Sequence, residues 1–231
     1  RLLGVAISVV LAVLPVQAQE PAPISTDSPT ISRSSHVVGK GVVVLEANYN
    51  ITSTRDGQPS VQSLPLVLHA GVSDQFELRL ETNSLTWQGS QRGLADVALG
   101  FRYEFQPNWG IVGLVTLPSG SADFRTAAAV PFVSFNHDQP LSEEDGLLFN
   151  LGVSWLPNAQ TQGLATVVYS RMVGEDVSWF LETALVGSEV RLDTGVQVWT
   201  SADFVVNLAV LHGLSGGGQD WGGTIGFGTR Y

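Results

Sequence analysis

The sequence predicts an all-β protein, a single antiparallel transmembrane β-barrel of about twelve strands. Three observations lead there. Hydrophobic residues make up 44% of the chain and charged residues only 14%, with 25 glycines, yet past residues 1–18 no run of ~18 apolar residues could form a spanning helix. High apolarity without helical spans leaves a large soluble β protein or a closed barrel in lipid. From Lys40 onward the chain breaks into stretches of about ten residues, the length a tilted strand needs to cross a bilayer, and these alternate in polarity. The last stretch, "GGTIGFGTRY", places Ile225, Phe227, Thr229 and Tyr231 on one parity and Gly226, Gly228 and Arg230 on the other. That period of two is a strand with one row of side chains against an apolar medium.

The elements follow in order. "RLLGVAISVVLAVLPVQAQE" offers a basic residue, an apolar core and small residues at Val16-Gln17-Ala18, the pattern of a secretory signal over residues 1–18. Residues 19–39 are rich in Pro, Ser and Thr and show no sustained alternation; they read as a leader that is either disordered or folded back as a lumen plug. The barrel is expected over 40–231. "VVVLEANYNI" alternates Leu45, Ala47 and Tyr49 against Val44, Glu46 and Asn48, and "SLPLVLHA" sets Leu64, Leu66 and Leu68 against Pro65, Val67 and His69. "QFELRLE" gives Phe76, Leu78 and Leu80 against Glu77, Arg79 and Glu81, and "LADVALGFRYEF" gives Val97, Leu99, Phe101 and Tyr103 against Asp96, Gly100, Arg102 and Glu104. Further strands are expected at 109–117, 128–136, 147–155, 164–173, 177–186, 190–200, 204–214 and 221–231, an even total as bacterial barrels require.

The links between strands support a barrel over a sandwich. "TSTRDGQPS", "NSLTWQGSQRG", "PSGSADFRT", "PNAQTQ" and "SGGGQD" are long and polar, and they alternate with the tight "VSD", "QPN", "GED" and "SAD". Short turns on one side and longer loops on the other characterise outer-membrane barrels. Two links break the rule: "HDQPLSEEDG" is long where a turn is due and "GSE" is tight where a loop is due. With the tight turns on one rim, Tyr103, Phe105, Trp109, Trp179, Trp199 and Tyr231 fall near it, and Trp155 and Trp221 near the other. Such rings are expected to form interfacial girdles. The terminal strand also reads as the aromatic signal that the barrel assembly machinery recognises, so outer-membrane lipids and that machinery are the expected partners.

Parity sends ten charged residues to the inner row: Glu46, Glu77, Arg79, Glu81, Asp96, Arg102, Glu104, Glu182, Arg191 and Asp193. Facing lipid, each arginine at mid-depth would cost up to ~2–4 kcal/mol. These residues either line a charged constriction or fill a closed lumen with ion pairs and hydrogen bonds. Asp27 is the expected contact between leader and lumen.

Other functions find little footing. Removing residues 1–18 takes away one arginine and leaves 10 Lys+Arg against 21 Asp+Glu, a balance unsuited to nucleic acid. With no cysteine, neither disulfides nor thiolate chemistry are available. His36, His69, His137 and His212 show no metal-ligand spacing, no G-x-S-x-G elbow occurs, and "GGGQDWGG" lacks the lysine and helix of a phosphate loop. "SEEDG" reads as a solvated turn before a calcium loop. No cofactor or metal is expected, and the protein is read as a non-enzyme. An outer-membrane lipid-modifying enzyme would have to use Ser170 and His212 at the lipid-facing rim. A structural or surface barrel would act through loops such as 52–60 and 83–93.

Several stretches together resemble the MetA-pathway family of phenol degradation, a group of outer-membrane transporters. They are "STDSPT", where the family reads Thr-Asp-Arg-Pro, then "GKGVVVLEANYN", "HAGVSDQFELRL" and "GLADVALGFRYEF", with weaker matches at "VTLPSG" and "FNLGVSW". Ser28 stands at the usual arginine place, which removes that arginine's part in docking the leader. The resemblance implies an outer-membrane barrel acting as a passive channel for small solutes, among them aromatic or hydrophobic ones.

Overall fold

A computed structural model describes residues 22–215 and 218–231. The expected signal segment, 1–18, lies outside the described residues. Fifteen strands form one antiparallel sheet: β1 (Val43–Thr54), β2 (Val61–Ser63), β3 (Leu66–Ser73), β4 (Phe76–Thr82), β5 (Leu85–Gln88), β6 (Gln91–Leu94), β7 (Val97–Gln106), β8 (Trp109–Leu117), β9 (Val130–Pro140), β10 (Asp145–Leu156), β11 (Gln160–Met172), β12 (Val177–Val186), β13 (Glu189–Ser201), β14 (Phe204–Ser215) and β15 (Gln219–Arg230). Each of β1, β3, β4 and β7 to β15 pairs with the next, and β15 returns to β1 over Val44↔Arg230 to Thr54↔Gln219. These twelve strands close the cylinder, which leaves no free edge. The other three, β2, β5 and β6, form a small sheet that continues the second half of β1 above the rim on the long-loop side.

Burial is inverted relative to a soluble protein. Leu78, Leu99, Leu151, Leu208 and Ile225 are between 48% and 65% exposed, whereas Glu46, Glu77 and Glu182 are 0% exposed. An apolar belt of this extent on the outside is what hydrocarbon covers. The buried apolar clusters are small. In one of them Val44 and Val205 pack on Ile24 of the leader.

Most of the irregular spacing disappears once the strands are seen at full length. In "HDQPLSEEDG", β9 runs on to Pro140 and β10 begins at Asp145, so only residues 141–144 turn. Hydrogen bonding of the ladder extends into polar sequence that alternation alone had assigned to a loop. The "GSE" link stays a two-residue turn on the long-loop side, with Gly187 at φ +62. A left-handed residue at the first central place matches the twist of a tight hairpin.

The aromatic girdle needs one correction. Trp109 stacks on His137 at 3.7 Å and lies beside Phe135, an outward ring on the turn-side rim. Trp199 instead points inward and donates its indole N–H to the Ile24 carbonyl at 2.8 Å. On β13 it shares the parity of the buried Asp193, so its polar tip is satisfied by the leader and not by the membrane interface.

Candidate functional site

The lumen holds the leader. Ile24 N–H bonds the Ala202 carbonyl at 2.8 Å on the turn-side rim. The chain then rises through Asp27 to Arg33 and returns to the same rim, where Gly41 N–H bonds the Gly71 carbonyl at 2.8 Å. An irregular segment inside a barrel carries backbone N–H groups with no ladder to join, and each needs an acceptor. Wall carboxylates and amides supply them. Glu46 accepts from the N–H groups of Asp27 and Ser28 at 2.9 and 2.8 Å. Glu182 accepts from those of Ile31 and Ser32, both at 2.8 Å, and from the Ser32 hydroxyl at 2.5 Å. Asn150 both accepts from Arg33 N–H (2.6 Å) and donates to its carbonyl (2.9 Å). Asp138 receives Ser35 N–H at 2.6 Å, and Glu77 receives Val38 N–H at 2.9 Å.

Asp27 makes the reverse contact, a leader carboxylate held by the wall. Arg79 Nη2 donates to it at 2.7 Å and Arg102 Nη2 at 2.5 and 2.7 Å. Burial by itself would raise the Asp27 pKa. The charge of Arg102 and then that of Arg79 override it and hold the carboxyl well below the usual carboxylate range. Around this centre Arg79 also pairs with Glu77 and Glu81 at 3.1 and 2.9 Å, and Arg33 pairs with Glu81 at 2.9 Å. His69 bridges Glu46 and Glu77 at 2.8 and 2.9 Å.

The remaining inner-row residues lie further from Asp27. Asp96 accepts from Gly120 N–H and from Thr126, tying the 118–129 loop over the outer mouth. Glu104 faces His36 at 3.2 Å near the turn-side rim. Arg191 pairs with Glu189 at 2.7 Å, and Asp193 stands opposite Glu182 in the β12–β13 register. Parity alone does not single out Asp138, Asn150, Gln197 or Trp199 as leader contacts, because nothing in a strand pattern says where an irregular segment will lie. Glycines mark its path: a Cβ on Gly71 would fall 1.6 Å from the Gly39 carbonyl oxygen, and one on Gly110 would fall 2.7 Å from that of Ser35.

Two chemical options can be weighed on this geometry. Ligand atoms of Asp27, Glu46 and His69 lie within 4.8 Å of one another, but guanidinium and imidazole groups and leader N–H groups already engage them. The cluster reads as a hydrogen-bond network. The Ser170–His212 pairing is corrected: Ser170 borders an inner cavity, whereas His212 stacks on the exposed Trp221 at 4.0 Å. They stand on opposite sides of the wall because their strand parities differ.

Two cavities flank the leader in the lumen. One, of about 520 Å³, lies on the long-loop side and is bordered by Asn50, Leu66, Asp96, Phe124 and Thr224. The other, of about 340 Å³, lies on the turn side and is bordered by His36, Asp138, Leu148, Ser170 and Phe180. Asp27, Ser28 and Thr30 border both. The turn closed by Thr30 N–H on the Asp27 carbonyl at 3.2 Å therefore borders both, and Ile31 to Arg33 on one side and Ser34 and His36 on the other continue the partition.

Fold and lumen define a transmembrane β-barrel whose interior is occupied by its own N-terminal segment. Comparison with solved structures places this fold among known barrels. The KdgM porin superposes with a TM-score of 0.56 at 12% identity, covering 80% of this chain and 99% of that one. The β domain of the Bordetella autotransporter BrkA gives 0.52 at 12% identity, covering 81% and 98%. The CymD monoaromatic hydrocarbon channel gives 0.50 at 8% identity, covering 84% and 89%. At such identities the likeness is one of fold, and the fold serves more than one purpose. No family model matches the chain, and no curated protein matches it in sequence.

Proposed function

We propose that this protein is a passive channel of the bacterial outer membrane for small solutes, closed at rest by its leader. The observation that carries this reading is the pair of cavities, about 520 and about 340 Å³, that share Asp27, Ser28 and Thr30 of the leader as a border. A barrel that served only as a scaffold has no need of cavities on both sides of its leader. The porin and hydrocarbon-channel neighbours share the architecture. The resemblance to the phenol-degradation family adds small aromatic solutes to those worth testing, and Phe124, Leu148 and Phe180 give the cavities some apolar wall. Delivery through the barrel assembly machinery, guided by the final strand, belongs to the same reading.

Planar-bilayer conductance and liposome swelling test it. Full-length protein should show rare or brief openings, and protein lacking residues 19–39 should conduct steadily. If neither form conducts or admits any small solute, the barrel is sealed and acts through its outer loops.

A further inference from the structure

We infer that the passage favours cations, so that its solutes are small cationic or neutral molecules and not carboxylates or phosphates. This rests on the channel reading above and adds the charge class of what passes. The grounds are the charges left over inside the lumen. Arg33, Arg79 and Arg102 are matched by Asp27, Glu77 and Glu81, and Arg191 by Glu189. Among the described residues, no arginine or lysine pairs with Glu46, Asp96, Glu104, Asp138 or Glu182. Glu46 and Glu104 have only the imidazoles of His69 and His36.

Three of these carboxylates now spend their lone pairs on the leader. Glu46, Asp138 and Glu182 accept its N–H groups. Neutral N–H donors cancel none of the charge. Whenever the leader moves aside, those oxygens face whatever enters. The turn-side cavity extends the pattern, with Asp27, Asp138, Glu143, Glu144 and Asp145 on its border and no lysine or arginine. Arg171 reaches Glu144 and Asp145 at 3.4 and 3.6 Å, which leaves Asp138 and Glu143 uncompensated. One sign of charge in a narrow space with low-dielectric walls concentrates counter-ions, and acidic rings select cations in pores.

The test uses the full-length protein and its Asp27→Ala variant, which loosens the leader. Both are placed in planar bilayers under a KCl gradient, and in liposomes challenged with glucose, glucosamine and glucuronate, three solutes of similar size. The expected result is a K⁺ over Cl⁻ preference of about fivefold or more at 0.1 M salt. It should shrink at 1 M, where the screening length falls from ~10 to ~3 Å. Glucosamine should enter at least as fast as glucose, and glucuronate several-fold more slowly. Asp138→Asn with Glu104→Gln should lower the ion preference without abolishing conductance. A preference for Cl⁻, no preference at low salt, or glucuronate entering as fast as glucosamine would overturn the inference while leaving the channel intact. No current and no uptake in any variant would instead remove the channel reading, and this inference with it.

Discussion

Asp27 of the leader and Arg102 of the barrel wall meet at 2.5 Å, with Arg79 at 2.7 Å on the same carboxylate. One acidic side chain thereby ties a segment without regular structure to two strands, β4 and β7. It does so at a turn that borders both cavities. The leader is fixed between the two cavities.

Replacing Asp27 by alanine leaves two buried arginines short of a partner. Breaking a buried pair in this way costs ~3–5 kcal/mol, here mostly of leader docking, since the barrel ladder does not involve residue 27. Limited proteolysis should cut the leader of the variant much faster than that of the parent, while the barrel strands stay protected. Equal cutting rates would mean that the other leader contacts suffice.

The chain contains no cysteine, so an introduced pair can report on the leader alone. Ser32 and Thr166 touch through their hydroxyl groups. In the Asp27→Ala background, Ser32→Cys with Thr166→Cys should silence conductance when oxidised and restore it on reduction. Current that ignores the redox state would show that the leader does not control the passage.

Acid should not release the leader easily. The Asp27 pKa is depressed in the folded protein, so its docking contribution is present above the unfolded carboxylate range and is lost only as pH falls through the lower folded value. Leader proteolysis by an acid-tolerant protease should therefore stay slow from pH 8 down to about pH 4. A sharp rise between pH 6 and 5 would contradict the grip described for Asp27.

Barrel glycines should resist substitution unequally, according to whether the leader passes against them. Gly110→Val puts a side chain against the Ser35 backbone, whereas a Cβ at Gly163 meets nothing within 4 Å. The first change should expose the leader to protease and the second should leave it as it is.

Lipid exposure can be measured directly. Leu208, near the middle of β14, is 52% exposed on the outer row. Leu208→Arg should cost ~2–4 kcal/mol in reversible unfolding from bilayers, against ~0–1 kcal/mol for Leu214→Arg near the rim. Equal costs would place the apolar row somewhere other than hydrocarbon.

The barrel was legible because its rule is local. A side chain two residues along faces the same medium, so Leu78, Leu80, Leu99 and Phe101 declare one row and Glu77, Arg79 and Arg102 the other without reference to any other strand. The same rule misplaced Trp199 and Ser170, for which polarity was not the deciding feature. It also cut β9 and β10 short, since ladder hydrogen bonds continue through polar residues. Leader contacts were legible only as an expectation at Asp27; the roles of Glu182 and Asn150 as acceptors depend on residues more than a hundred positions away.

Periodicity by itself determined that the chain builds an even-stranded cylinder, and which side of each strand looks inward, because water and hydrocarbon impose opposite demands on neighbouring side chains. Only the tertiary structure decided what fills the hollow. Backbone N–H groups of Asp27, Ser28, Ile31, Ser32, Arg33, Ser35 and Val38 have no ladder to join, and they find their acceptors on strands that folding alone brings around them.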